Sequence, residues 1–313
     1  MKNIHAATAR NIGRAAEVIQ AGGLVAFPTE TVYGLGASVY NPAAVARIFK
    51  VKGRPAFNPL ISHIADVDFL PEYAQADARA TALARRFMPG PLTLVLNRTD
   101  DNPAVDLACA GLRTISVRMP DHRVALELIR RAGVPVVAPS ANVSTTISPT
   151  TARHVFDSLG ENVDMILDGG ACPVGLESTI IDLTGPQVVL LRSGFITREE
   201  LEAFLNEKVV PSSGNPSAPK SPGQMLRHYA TRKPLRMNAE RAAADEFHIG
   251  FGAIAGDLNL SASGDLAEAA AHLFDYLRRA DAQSRHPKIA VAPIPGEGLG
   301  AAINDRLTRA SCK

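Results

Sequence analysis

Apolar residues recur at helical spacing from about Ala6 to Gln20. Ile12, Ala15, Ala16 and Ile19 share one face, and the Gly22-Gly23 pair ends the pattern. The apolar run from Leu24 to Phe27 predicts a strand. Asn41-Pro42 supplies an N-cap and a proline at the first helical position, so a helix is predicted to about Lys50 with Val45, Ile48 and Phe49 inward. Farther on, the pattern predicts a strand over Pro59 to Ile64, a helix over Ala78 to Phe87, strands Leu92 to Leu96 and Thr114 to Arg118, a helix over His122 to Arg131, a strand Val134 to Ala138 and a helix over Thr151 to Leu159. Strands near Asp164 to Leu167, Ser178 to Leu183 and Val188 to Leu191 then precede a helix near Arg198 to Leu205. Adjacent strands without an intervening helix predict a mixed α/β sheet that is partly antiparallel.

Pro211 to Gly223 is rich in Pro, Ser and Gly and cannot bury a core, so it reads as a linker. Beyond it a strand near His248 to Ile254, a helix Leu266 to Ala280, a strand Ile289 to Pro293 and a helix Gly300 to Arg309 form a small β-α-β-α unit. The predicted organisation is a catalytic domain over 1–206, a linker over 207–236 and a small C-terminal domain over 237–313.

Composition narrows the class. With 46% apolar and 20% charged residues among 313, the chain has the makings of a packed core, and no apolar run approaches the roughly 20 residues of a membrane span. The N-terminus lacks the apolar stretch of a secretory signal. Three cysteines, Cys109, Cys172 and Cys312, lack CxxC spacing; this argues against a disulfide framework or a thiolate zinc site and for a reducing cytoplasm. A net charge of +2 provides no global field, so any polyanion site must be local.

P-loop, dinucleotide-fingerprint, GxSxG and HExxH motifs are absent from the sequence. The positive signal is a set of polar loops at predicted strand ends. In Pro28 to Gly36, threonines follow a strand and glycines permit close approach of a ligand, although a tight turn with self-bonded hydroxyls is the favoured reading of this segment taken alone. Lys50 to His63 carries Lys50, Lys52 and Arg54; these either complement a helix dipole or, stiffened by Pro55 and Pro59, meet phosphate oxygens. Thr114, Ser116 and Arg118 share a strand face, which is either a site or an exposed sheet face. Ala138 to Thr150 offers hydroxyls and helix-start N–H groups to an anion, or else an N-cap at Ser148 or Thr150. Glu177-Ser178-Thr179 and Leu191-Arg192 repeat the theme. Gly296 to Gly300 reads as a turn before a helix.

Taken in order, Pro28-Thr-Glu-Thr-Val-Tyr-Gly-Leu-Gly36, Lys52-Gly-Arg-Pro55, Asn58-Pro-Leu60 with His63, Pro89-Gly-Pro-Leu-Thr93, Ser116-Val-Arg118, Ala138-Pro-Ser-Ala-Asn142, Ser148-Pro-Thr150, Glu177-Ser-Thr179 and Leu191-Arg192 resemble the YrdC-like family. Pro222-Gly223, Arg227-His228-Tyr229 and Gly298 to Leu307 are similar to its long two-domain form, the L-threonylcarbamoyladenylate synthases. The resemblance implies a YrdC-like open twisted mixed sheet flanked by helices, plus a small Rossmann-like C-terminal domain. It also implies that L-threonine, bicarbonate or CO2 and ATP, with Mg2+, give threonylcarbamoyl-AMP and pyrophosphate. The product would feed downstream tRNA threonylcarbamoyl transferase machinery that modifies the adenosine next to the anticodon.

By the same resemblance, Thr31, His63, Arg118, Ala138 and Ser178 surround threonine. Lys52, Arg54, Asn58, Thr114, Ser140, Ser148, Arg192 and Tyr229 serve ATP, with Lys52 and Arg54 catalytic through charge neutralisation. No resident metal ligands are implied. Residues 207–236, with Tyr229 over the nucleotide, would form a lid. Thr145, Gln224 and Thr231 depart from the glycine, methionine and proline usual in the family and bear on that lid. Two other readings remain open: carbamoyl transfer, and an RNA-binding module in which Lys50, Lys52, Arg54, Arg113 and Arg118 form a basic concave surface. With 5% aromatic residues and no Trp, stacking platforms for RNA are few.

Overall fold

The computed structural model describes residues 2–212, 220–223, 228–282 and 284–312. The first part of the chain runs β1 (Ile4–Ala6), α1 (Ala9–Gln20), β2 (Val25–Phe27), β3 (Gly34–Ser38), α2 (Pro42–Lys52), β4 (Ile61–His63), α3 (Leu70–Tyr73), α4 (Ala78–Phe87), β5 (Leu92–Asn97), β6 (Thr114–Arg118), α5 (Arg123–Ala132), β7 (Val136–Val137), α6 (Ala152–Leu159), β8 (Met165–Asp168), β9 (Thr179–Asp182), β10 (Val188–Arg192), α7 (Arg198–Leu205) and β11 (Val209–Pro211). Caps fix the helix starts: Thr8 accepts from Asn11 N, Asn41 from Ala44 N, and Thr197 with Glu200 forms a capping box.

Among the described residues the eleven strands form one sheet in the order β1-β8-β2-β3-β7-β4-β6-β5-β9-β10-β11. It is mixed, with β4 and β6 parallel and β3, β7 and β4 successively antiparallel. Alternation along β2 sends Ala26 into the core beneath α2 and α4, and Val25 and Phe27 into the core beneath α1 and α5.

The glycines of Pro28 to Gly36 do not open a path for a ligand. They sit in β3, a strand buried along its whole length, where a Cβ on Gly36 would come within 2.7 Å of Phe27 Cε1 and 2.9 Å of Val136 Cγ1. Gly36→Ala should therefore cost about 1–3 kcal/mol by overpacking, read from the denaturant midpoint.

The second part comprises β12 (Leu235–Arg236), β13 (Glu246–Gly250), β14 (Leu258–Asn259), α8 (Leu266–Ala282), β15 (Lys288–Val291) and α9 (Leu299–Ser311). Its sheet, β12-β15-β13-β14, is parallel throughout. The core of this part takes in Val32, Ile147 and Leu176 from the first part, together with Tyr229, so the two parts share apolar packing. The segment read as linker begins and ends in strands: β11 pairs with β10, and β12 opens the second sheet. Residues 213–219 and 224–227 of that segment, including Gln224 and Arg227, lie outside the described residues. No described helix is long and apolar enough to cross a membrane.

Candidate active site

Register brings together the residues that the sequence resemblance assigns to threonine. β4 and β6 pair with His63 opposite Arg118, and Ala138 N, just past β7, donates to Ile61 O at 3.1 Å. The loop after β2 turns on Thr29, whose hydroxyl donates to Val32 O at 2.7 Å and lies 2.8 Å from Thr31 Oγ1. Arg118 then reaches across: Nη2 donates to Thr31 Oγ1 at 2.9 Å and Nε to Gly90 O at 3.3 Å. Nη2 also lies 2.6 Å from Glu30 Oε1 in a buried ion pair. His63 Nδ1–H donates to Ile61 O at 3.1 Å, and burial followed by the charge of Arg118 lowers its pKa to about 3, so the ring is neutral at pH 7.

On the opposite side stand buried cations held mostly by neutral acceptors. Arg54 donates from Nε to Asn58 O at 3.1 Å and from Nη2 to Pro59 O at 2.8 Å; burial and then neighbouring Arg192 lower its pKa to about 9. Arg192 donates to Ser178 O at 2.9 Å and Ser178 Oγ at 3.0 Å, and burial brings it down to about 10. Ser178 Oγ is in turn 2.7 Å from Thr93 Oγ1. Gly223, at φ +88°, packs on Arg192; a Cβ there would be 2.8 Å from Arg192 Cδ, which accounts for glycine at that position.

Thr31, His63, Arg118 and Ala138 line one small cavity of about 40 Å³ together with Arg54, Ser140 and Arg192. The remaining sequence-predicted residues stand behind it. Lys52 is buried beneath the loop, its Nζ 2.5 Å from both Ser140 O and Asn142 O, and burial and then Arg54 lower its pKa well below the usual lysine value. Asn58 is buried in the stiff turn that holds Arg54. Ser148 donates to Glu177 Oε1 at 2.5 Å, and Ser178 supports Arg192. Thr114 begins β6 opposite Asn97, half-buried and outside the cavity lining. Tyr229 turns away into the second core, stacked on Phe274 at 5.2 Å, and its neighbour His228 faces the cavity instead.

Several readings from the sequence are corrected by these placements. Ser148 and Thr150 are not the N-cap of α6; Thr151 is. Thr114, Ser116 and Arg118 do not form an exposed sheet face, since Ser116 and Arg118 are buried. The basic RNA surface does not form either, because Lys52, Arg54 and Arg118 are buried and only Lys50 and Arg113 are exposed. Sequence reasoning assigned no role to Glu30, Glu177, His228 or Pro222. The signal for Glu30 and Glu177 was a carboxylate embedded in a hydroxyl-rich motif; His228 sat in the quoted Arg227-His228-Tyr229.

Glu177 joins both parts of the chain. Arg306 of α9, completely buried, donates from Nε to Glu177 Oε2 at 3.1 Å. Burial pushes the Glu177 carboxyl up, but Arg306, Arg192 and His228 and the Ser148 hydroxyl more than offset this and bring its pKa to about 2. Two larger surface grooves, of about 600 and 540 Å³, contain none of these residues. The convergence of buried charge, rather than volume, marks the candidate site.

The family model described as Telomere recombination, covering Sua5, YciO and YrdC, matches residues 17–194, and the model of the threonylcarbamoyl-AMP synthase C-terminal domain matches residues 196–312. The chain is 41% identical to the threonylcarbamoyl-AMP synthase of Pyrococcus abyssi, over 95% of this chain and 93% of the relative. It is 40% identical to the threonylcarbamoyl-AMP synthase of Bacillus subtilis, over 96% of this chain and 92% of the relative. Its fold is similar to the crystal structure of P. abyssi Sua5 complexed with L-threonine, with a TM-score of 0.89, 38% identity, and coverage of 99% of this chain and 96% of that one. The chain therefore belongs to the threonylcarbamoyl-AMP synthase family, in the form that carries the C-terminal domain.

Proposed function

We infer that this chain uses ATP to convert L-threonine and bicarbonate or CO2 into L-threonylcarbamoyl-AMP, releasing pyrophosphate, as the first step of threonylcarbamoylation of the tRNA adenosine next to the anticodon. The observation that carries this reading is the buried cavity that sets Arg118, Thr31 and a neutral His63 against Arg54 and Arg192. The threonine nitrogen adds to the carbon of CO2 and loses a proton, giving a carbamate. A carbamate oxygen then attacks the α-phosphorus of ATP, and the bond to the β-phosphate oxygen breaks as pyrophosphate leaves. No protein nucleophile is needed, so catalysis rests on positioning and on neutralising phosphate charge.

The geometry supports the following roles. Arg118 meets the amino-acid carboxylate, with Thr31, His63, Ala138 and Ser178 shaping that end. Arg54 and Arg192 meet the phosphates beside Ser140 and Ser148. Lys52 and Asn58 hold the loops that carry those groups, and Thr114 flanks the nucleotide. Residues 1–206 carry this chemistry, 207–236 act as the lid, and 237–313 support that lid or regulate access. A cavity of about 40 Å³ is far below the several hundred Å³ of an ordinary ligand pocket, so Pro222 and His228 must withdraw for ATP to enter.

Glu177, the carboxylate that lines the cavity, is already engaged by Ser148 and Arg306, which supports reading Mg2+ as entering with the triphosphate as part of the substrate. The product passes to cytoplasmic tRNA threonylcarbamoyl transferase machinery.

Pyrophosphate release by the purified protein tests the reading. It should require ATP, L-threonine and bicarbonate together, with L-serine a poor substitute. Release without threonine would point to a different ATP chemistry, and none at all to carbamoyl transfer. Arg118→Ala should lower kcat/KM for threonine at least about tenfold, roughly 1.4 kcal/mol, and unchanged kcat/KM would remove Arg118 from the carboxylate.

A further inference from the structure

The cations at the two ends of the cavity are compensated differently. Arg54 donates to the carbonyls of Asn58 and Pro59, which are neutral, whereas Arg118 is ion-paired with Glu30 at 2.6 Å. Glu30 is 5% exposed and does not itself line the cavity. Two other titratable groups that feel Glu30 do not compete for it. Burial lowers His122, leaving it neutral at pH 7, and burial raises Cys172, leaving it a thiol. Glu30 and Arg118 therefore cancel each other, while Arg54 keeps a positive field.

We propose that Glu30 is a specificity-determining counter-charge, which makes the Arg118 end of the site accept a zwitterionic amino acid and refuse a bare anion. The proposal rests on Arg118 meeting the threonine carboxylate. A ligand carboxylate is attracted by Arg118 and repelled by Glu30, so it gains little alone. An ammonium on the same ligand is attracted by Glu30 and tips the balance. The triphosphate, which has no such cation, is directed to the Arg54 end. This explains how one small cavity rich in arginine keeps the carboxylate-bearing and the phosphate-bearing substrate at their own ends.

The test is calorimetric binding of L-threonine and of (R)-3-hydroxybutanoate, the same skeleton without the amine, at pH 7. Wild type should prefer threonine at least about tenfold. Glu30→Gln, which keeps the volume and removes the charge, should shrink that preference at least about tenfold; Glu30→Asp should retain it. A general loss of packing would weaken both ligands together and leave the ratio alone. The proposal is overturned if Glu30→Gln changes the ratio less than twofold, or if wild type binds the two ligands equally. The wild-type comparison decides even if the glutamine variant fails to fold. Arg118→Ala serves as the control for the underlying reading: it should weaken both ligands, since both carry the carboxylate. If it weakens neither, the assignment of Arg118 fails; if it weakens both while Glu30→Gln spares the ratio, only the counter-charge fails.

Discussion

Arg54→Ala should slow pyrophosphate release about a hundredfold, ~2.7 kcal/mol, while KM for L-threonine stays within about twofold. The guanidinium is held before any ligand arrives: Asn58 O and Pro59 O take Nε and Nη2, and the turn that carries them is bounded by Pro55 and Pro59. Among the described residues Nη1 has no partner, and the side chain lines the cavity. A cation fixed in a water-poor site stabilises charge on the phosphates without reorganising during the reaction. Arg54→Lys should recover little, because one ammonium cannot satisfy two carbonyls in that planar geometry and also face the phosphate. Single-turnover rates at saturating ATP and threonine provide the measurement. A kcat within threefold of wild type would show that Arg54 supports the loop and not the transition state.

The helices were legible because their signals are local. Thr8, Asn41, Asp77 and Thr197 cap where capping residues precede amphipathic runs, and α4, β6 and α7 begin and end where periodicity places them. β3 was missed because a strand buried on both faces shows no alternation, and Gly34 and Gly36 read as loop where they in fact make room for Ala138 and Phe27. β1 and β11 are three residues long and exist through pairing with strands outside any local window, Ile4 with Ile166 and Val188 with Val209, and β14 has only two residues. The candidate site was legible as motifs but not as geometry. Hydroxyls and cations stood out in order along the chain, but whether each faces a cavity or braces a neighbour depends on tertiary contacts. Lys52 Nζ is taken by Ser140 O and Asn142 O and Ser178 by Arg192, while His228 lines the cavity and Tyr229 packs on Phe274. Arg306 lies 129 residues from Glu177, a pairing beyond reach of spacing rules.

Arg306→Ala should destabilise the protein by about 3–5 kcal/mol, because it leaves a buried carboxylate without its chief partner. Arg306 is 0% exposed; besides Glu177 it pairs with Asp305 at 2.9 Å, and its guanidinium lies 5.5 Å from the Tyr229 ring centroid. The same joint is reinforced by Arg278, which donates to the carbonyls of Ile147 and Ser148, and by Ala230 N donating to Thr145 O at 2.7 Å. Loss of Arg306 thus loosens the C-terminal domain, the His228-Tyr229 segment and Ser148 together. The melting temperature should fall on the order of 10 °C. The pH dependence has a definite sign. In the wild type Glu177 titrates at about 2 against an ordinary 4.5, so its stabilisation is complete above 4.5 and is lost as pH falls toward 2. Without Arg306, burial pushes the carboxyl up and acid unfolding should begin at higher pH. The double variant Arg306→Met, Glu177→Gln removes both charges and should regain most of the stability, since an apolar or neutral replacement of a buried pair is often close to neutral. If pyrophosphate release stays low in that restabilised protein, the pair serves the site by setting Ser148 and His228. If activity returns with stability, Arg306 only joins the domains.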